Sequence, residues 1–224
     1  SKGSSTFSAI TPMGRQHEND REATAADLKW LADPAEEPEP FGDGGTKMAW
    51  NTFNVVSIYP NGNPVMSDVN QRWVGDCCAC AVIASMAYLY PRFVKHIIKD
   101  NMDKTYTVTM YDPKGKQISV GVGGDYFIGN SGDLGALGGR NKEVTWATIL
   151  EKAMIKWNQI YQGSSNVGGI GTEYVSAIFT GDGERVGFGA NALIAEDLQR
   201  AVEVSLKQGR LVIGGFTRSG EQVD

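Results

Sequence analysis

Apolar and polar positions divide the chain into a small set of legible elements. Residues 1–23 are polar and lack periodicity, which predicts an extended or mobile arm. Thr24 and Asp27 have capping-box spacing ahead of Leu28, Trp30 and Leu31, so a short helix is expected there. Asp33-Pro34-Ala35-Glu36-Glu37-Pro38-Glu39-Pro40 is too proline-rich for helix and reads as an acidic connector. Residues 53–59 (FNVVSIY) read as a strand and 60–64 (PNGNP) as a turn. Cys77 to Tyr90 is alanine-rich and apolar on all sides, the pattern of a central buried helix. Pro91 suits the first turn of a second helix reaching Met102, with Phe93, Val94, Ile97 and Ile98 inward.

Further along, 105–111 (TYTVTMY) and 117–122 (QISVGV) flank Asp112-Pro113-Lys114-Gly115-Lys116 and predict a β-hairpin. Residues 121–139 are glycine-rich without a phosphate-cradle pattern, and are expected to form a long mobile surface loop. An amphipathic helix is expected over 144–160, another over 172–179, and a third from Asp197 to Gln208, ended by Gly209. Residues 210–216 (RLVIGGF) read as a strand, and no internal repeat is visible. The mixture is that of an α+β protein.

Composition narrows the function. A formal net charge of −5 leaves no basic footprint for nucleic acid or an anionic membrane. No apolar run reaches the roughly 18–20 residues that span a bilayer. The N-terminus shows no signal peptide, which is compatible with a cytoplasmic protein or with a secreted one whose signal has been removed. Cys77, Cys78 and Cys80, the only cysteines, sit too close together to staple distant segments. A structural zinc site needs four ligands, and the chain offers only His17 and His96 besides this cluster.

The segment around Cys77 carries the candidate chemistry. Gly75 and Asp76 make a turn directly before the buried helix, which places the Cys77 thiol where unpaired N–H groups and the helix dipole favour negative charge. Gln71, six residues earlier, could donate to an oxyanion together with a backbone N–H at the nucleophile. Taken alone, this pattern fits a packed core cysteine as well as a catalytic one.

Three blocks in order give the segment a family resemblance. Asp68-Val69-Asn70-Gln71-Arg72-Trp73-Val74-Gly75-Asp76-Cys77 resembles the calpain signature D-x-x-Q-G-x-x-G-D-C-W. Trp146 to Lys156 (WATILEKAMIK) is similar to the calpain W-x-x-L-L-E-K-A-Y-A-K helix. Gly168-Gly169, Glu173 and Phe179-Thr180-Gly181 follow, similar to the G-G…E…F-T-G stretch. The resemblance covers residues 55–217 and implies a papain-like fold, with a Cys-bearing helical lobe and the start of a β-rich second lobe. It implies a thiol endopeptidase acting on protein or peptide substrates, with Cys77 as nucleophile and Gln71 as oxyanion-hole donor. It also implies that Gly168 and Gly169 offer backbone to substrate, and that Asp68 and Glu151 bind calcium with carbonyls around Asn61 to Asn63.

The chain departs from the family pattern at Arg72, where calpains have Gly, at Cys78, where they have Trp, and at Gly123-Gly124-Asp125, where they tend to pair aspartates. Papain-type enzymes place their His and Asn ~130–150 residues after the cysteine. His17 and His96 read as surface residues, so both groups are expected from a segment after Asp224 or from a second chain, with self-processing at glycine-rich or acidic stretches. The expected organisation is an arm and connector over 1–50, a Cys lobe over 51–190, and the start of a second lobe over 191–224. The alternatives are a non-catalytic calpain-like module that binds calcium or a partner, and a thiol redox or metal protein.

Overall fold

The structure is a computed structural model and describes residues 20–43, 46–54, 56–129, 131–181 and 194–214. It is an α+β arrangement. Helix α1 (Ala25–Ala32) opens with the expected capping box: the Thr24 hydroxyl accepts from the Asp27 N–H, and the Asp27 carboxylate accepts from the Thr24 N–H. Two short paired strands follow, β1 (Gly42–Asp43) and β2 (Thr46–Lys47). The next strand, β3 (Ala49–Thr52), ends where the expected one over 53–59 was to begin.

Helix α2 (Cys77–Leu89) buries Ala79, Val82, Ile83, Met86 and Ala87. Helix α3 (Pro91–Ile97) stops five residues short of Met102, because Ile98 switches to sheet pairing. Strands β4 (Ile98–Asp100), β5 (Tyr106–Tyr111) and β6 (Gln117–Val122) then form an antiparallel sheet. β5 and β6 are the predicted hairpin, with Val108 opposite Val120 and Met110 opposite Ile118. β5 buries Tyr106, Val108 and Met110 at alternate positions, as the period of a pleated strand requires. β7 (Asp125–Ile128) pairs with β3, and Trp50 stacks on Phe127 with ring centroids 3.6 Å apart, which pins that register. Of the expected strand over 53–59, Val56 makes one parallel bridge to Val144, and the Ile58 carbonyl accepts from the Trp146 N–H.

Helix α4 (Trp146–Tyr161) was expected to show one polar face to solvent. It is instead enclosed, with Trp146 through Asn158 all buried. Its polar residues survive burial because each finds a partner, as buried polar groups must. The Lys152 ammonium pairs with Glu37 and donates to the Asp125 carbonyl. The Lys156 ammonium donates to the Asp33 and Gly121 carbonyls at 2.8 Å each and lies over the Trp30 ring. The described part of the N-terminal segment is therefore built into the core. Leu31 is fully buried, and a Cβ at Gly121 would lie 2.4 Å from the Ala32 carbonyl oxygen.

Helix α5 (Thr172–Thr180) packs on α2 and β5, and α6 (Ala195–Lys207) buries none of its residues. Residues 210–214 carry no strand, and the rest of the expected strand over 210–216 lies outside the described residues, as do His17 and Asp224. Among the described residues no single helix is long and apolar enough to cross a membrane.

Candidate active site

The site is assembled from three segments that meet at the start of α2. Cys77 is the first residue of that helix and its side chain is exposed. The first N–H groups of the helix have no intrahelical acceptor, so the thiol sits beside unpaired donors. The Asp76 side chain does not cap them. It turns inward and is 1% exposed.

The glycine-rich stretch after β7 forms the floor. It was expected to be a mobile surface loop. Leu134 to Gly139 are instead buried, because the stretch runs under the segment before Cys77 and bonds to it along its length. The Gly135 carbonyl accepts from the Trp73 N–H at 3.1 Å, and Asn70 and Gly138 exchange backbone hydrogen bonds at 3.1 and 3.3 Å. The Arg72 guanidinium donates to the Gly139 carbonyl at 2.6 Å, which gives this departure from the family pattern a structural role. Added Cβ atoms at Gly138 and Gly139 would collide with Leu134 and with the Glu143 carboxylate. The apolar Leu134, Ala136 and Leu137 among these glycines are the sequence signal for an interior path.

The third segment is the loop before α5. The Gly169 N–H donates to the Gly75 carbonyl at 3.1 Å, so Gly168 and Gly169 lie against the turn that delivers Cys77. Gly169 has φ +73°, a left-handed conformation that favours glycine. Beside this loop lies a cleft of about 250 Å³, lined by Trp157, Asn158, Gln162, Asn166 and Tyr174 among others, none of them charged. The structure thus brings Cys77, Gly168 and Gly169 into one region. Gln71 is exposed on the same loop, and its amide donates to the Val74 carbonyl at 2.9 Å.

Beneath Cys77 is a buried cluster that sequence reasoning did not anticipate. The Cys80 thiol donates to Asp76 Oδ1 at 3.5 Å. The second Asp76 oxygen, Oδ2, and Glu151 Oε1 are buried without an N–H or hydroxyl donor, and the two side chains interact directly. Two buried carboxyl groups in such contact disfavour the doubly ionised state, since neither oxygen has another donor to stabilise its charge. Burial pushes Asp76 up to about 6. Burial, and then the Asp76 charge, push Glu151 well above the usual carboxylate range. Burial followed by Asp76 and Glu151 push the Cys80 thiol upward too. Both acids stand in the quoted motifs, but nothing in the sequence says that they touch.

The expected calcium ligands accept hydrogen bonds within the fold. Asp68 Oδ1 accepts from the Asn61 amide at 2.8 Å, and Oδ2 accepts from the Trp146 indole at 2.7 Å and the Val65 N–H at 3.2 Å. Glu151 Oε2 accepts from the Leu137 N–H at 2.7 Å. The Gly62 carbonyl and the Asn63 side-chain oxygen take the Lys95 ammonium at 3.1 and 3.3 Å. Among the described residues no group of three or more His, Cys, Asp or Glu side chains is placed to hold a metal ion. Most of these oxygens accept from N–H donors or a lysine, whereas Glu151 Oε1 has no N–H or hydroxyl donor.

His96 is exposed in the last turn of α3, which follows the far end of α2, a helix about 20 Å long. No protein-family model matches the chain, and no curated protein sequence matches it.

Proposed function

We propose that the protein is a calpain-like thiol endopeptidase of papain-like fold, with Cys77 as its nucleophile. The observation that carries this reading is the bond from Gly169 to Gly75. It sets two segments remote in sequence side by side, one carrying an exposed thiol at a helix start and the other presenting bare backbone next to an uncharged cleft.

In this reading an extended peptide lies along Gly168 and Gly169. The Cys77 sulfur attacks its carbonyl carbon, giving a thioester acyl-enzyme that water then hydrolyses. The Cys77 backbone N–H and the Gln71 amide donate to the developing oxyanion. Gln71 must turn its amide from Val74, or use its second amide hydrogen, to do so. The base and its orienting partner are proposed to come from a segment after Asp224 or from a second chain. The calcium that the resemblance implies is proposed to bind through Asp68 and Glu151, and 1 mM calcium is then expected to raise the thermal midpoint; an unchanged midpoint would remove the ion from the proposal.

The test is peptide hydrolysis by the full-length gene product. Cys77→Ala is expected to abolish it, and Gln71→Ala to lower kcat by ~10²-fold. Undiminished hydrolysis by Cys77→Ala would refute the proposal.

A further inference from the structure

We infer that Cys77 and Cys80 form a reversible dithiol–disulfide pair, with Cys77 as the thiol that meets the oxidant and Cys80 as the thiol that resolves it. The two are spaced C-x-x-C at the start of α2. Side chains three apart on a helix share a face, with Cβ atoms about 5–6 Å apart, whereas neighbours in sequence do not face one another. Cys80 rather than Cys78 is therefore the partner of Cys77. A disulfide needs Cβ atoms ~3.5–4.5 Å apart, so closure requires a shift of about 1 Å. The Cys77 end of the first turn can supply it, because the N–H groups before Cys80 carry no intrahelical bonds, the first such bond running from the Cys80 N–H to the Asp76 carbonyl at 3.0 Å.

Two further observations assign the roles. Cys77 is exposed, whereas Cys80 is half-buried. The Cys80 thiol is also hydrogen-bonded to the Asp76 carboxylate, and Asp76 directly precedes Cys77. That bond turns the Cys80 sulfur back toward the N-terminal turn. The inference goes beyond the protease reading and does not depend on it.

The chemistry takes a peroxide as oxidant. The Cys77 sulfur attacks one peroxide oxygen, the S–O bond forms as the O–O bond breaks, and the departing hydroxide takes the thiol proton and leaves as water. The Cys80 sulfur then attacks the sulfenic sulfur. The S–S bond forms, the S–O bond breaks, and the second hydroxide leaves as water with the Cys80 proton. The pair loses two electrons and one peroxide becomes two waters. The product masks Cys77 against further oxidation and returns to two thiols with a dithiol reductant.

The experiment treats the full chain with one equivalent of hydrogen peroxide, alkylates the remaining thiols, and maps them by mass spectrometry. The expected result is a fall from three thiols to one, with the surviving alkylation on Cys78. Mass before alkylation falls by about 2 Da and dithiothreitol restores it. Cys78→Ser is expected to keep the disulfide. Cys80→Ser is expected to lose it and, given a second equivalent of peroxide, to gain about 32 Da at Cys77 as the sulfinic acid. The unmodified chain decides the matter even if a variant fails to fold. A Cys77–Cys78 disulfide, or over-oxidation of Cys77 with Cys80 still a thiol, would overturn the inference.

Discussion

Asp76 and Glu151 are each 1% exposed and interact directly beneath Cys77 at the start of α2. Both are raised above their ordinary values, so in the folded state the pair keeps a proton that the unfolded chain releases. The contribution is fully present below about pH 4, the unfolded carboxylate range, and is lost as pH rises through about 6, the value for Asp76. Urea midpoints at fixed ionic strength are expected to fall across that window, and Glu151→Gln is expected to flatten the slope; an unchanged slope would mean that the two acids do not share a proton. Lys156 has the opposite sign. Burial and then Lys152 lower it to about 8 from 10.5, so its contribution makes stability rise between those two values as the buried ammonium loses its charge. At this scale the sequence located the thiol at the helix start but not the acids behind it. A carboxyl–carboxyl contact leaves no periodicity or spacing to read, and the family resemblance assigns Glu151 to a calcium site instead.

Local chemistry wrote some elements into the chain and tertiary pairing wrote others. The capping box of α1, the start of α2 at Cys77 and the β5–β6 hairpin were legible because turn and cap residues stand next to the elements they bound. The early end of α3 was not legible, because Ile98 leaves the helix only to pair with Val108. The glycine-rich stretch was misread as mobile, since its bonds go to Asn70, Trp73 and Glu151, all distant in sequence. Glycine there and at Gly121 serves close packing of backbone on backbone. Gly121→Ala would set a Cβ 2.4 Å from a carbonyl oxygen and is expected to cost ~2–3 kcal/mol. Gly214→Ala, with open space around it, is the control and is expected to stay within about 0.5 kcal/mol. Equal chemical-denaturation midpoints for the two would contradict this packing.

Across the whole molecule, α4 is the member on which the other parts are hung. Its Trp146 holds Asp68, its Glu151 holds the floor under Cys77, and its Lys152 and Lys156 hold the N-terminal connector. The connector at 33–40 looked like a spacer in sequence because its lysine partners lie more than a hundred residues away. Lys152→Met would leave the half-buried Glu37 without its ammonium partner and is expected to destabilise the fold by about 2 kcal/mol in denaturant titrations. A loss below ~0.5 kcal/mol would show the connector to be dispensable.

The central proposal, that Cys77 is a nucleophile attacking a peptide laid along Gly168 and Gly169, is tested most directly by a peptidyl epoxide applied to the full-length protein and mapped by mass spectrometry. The account predicts a single adduct on Cys77, formed faster than with the same epoxide lacking its peptide. Adducts spread evenly over Cys77, Cys78 and Cys80, at a rate indifferent to the peptide, would contradict it.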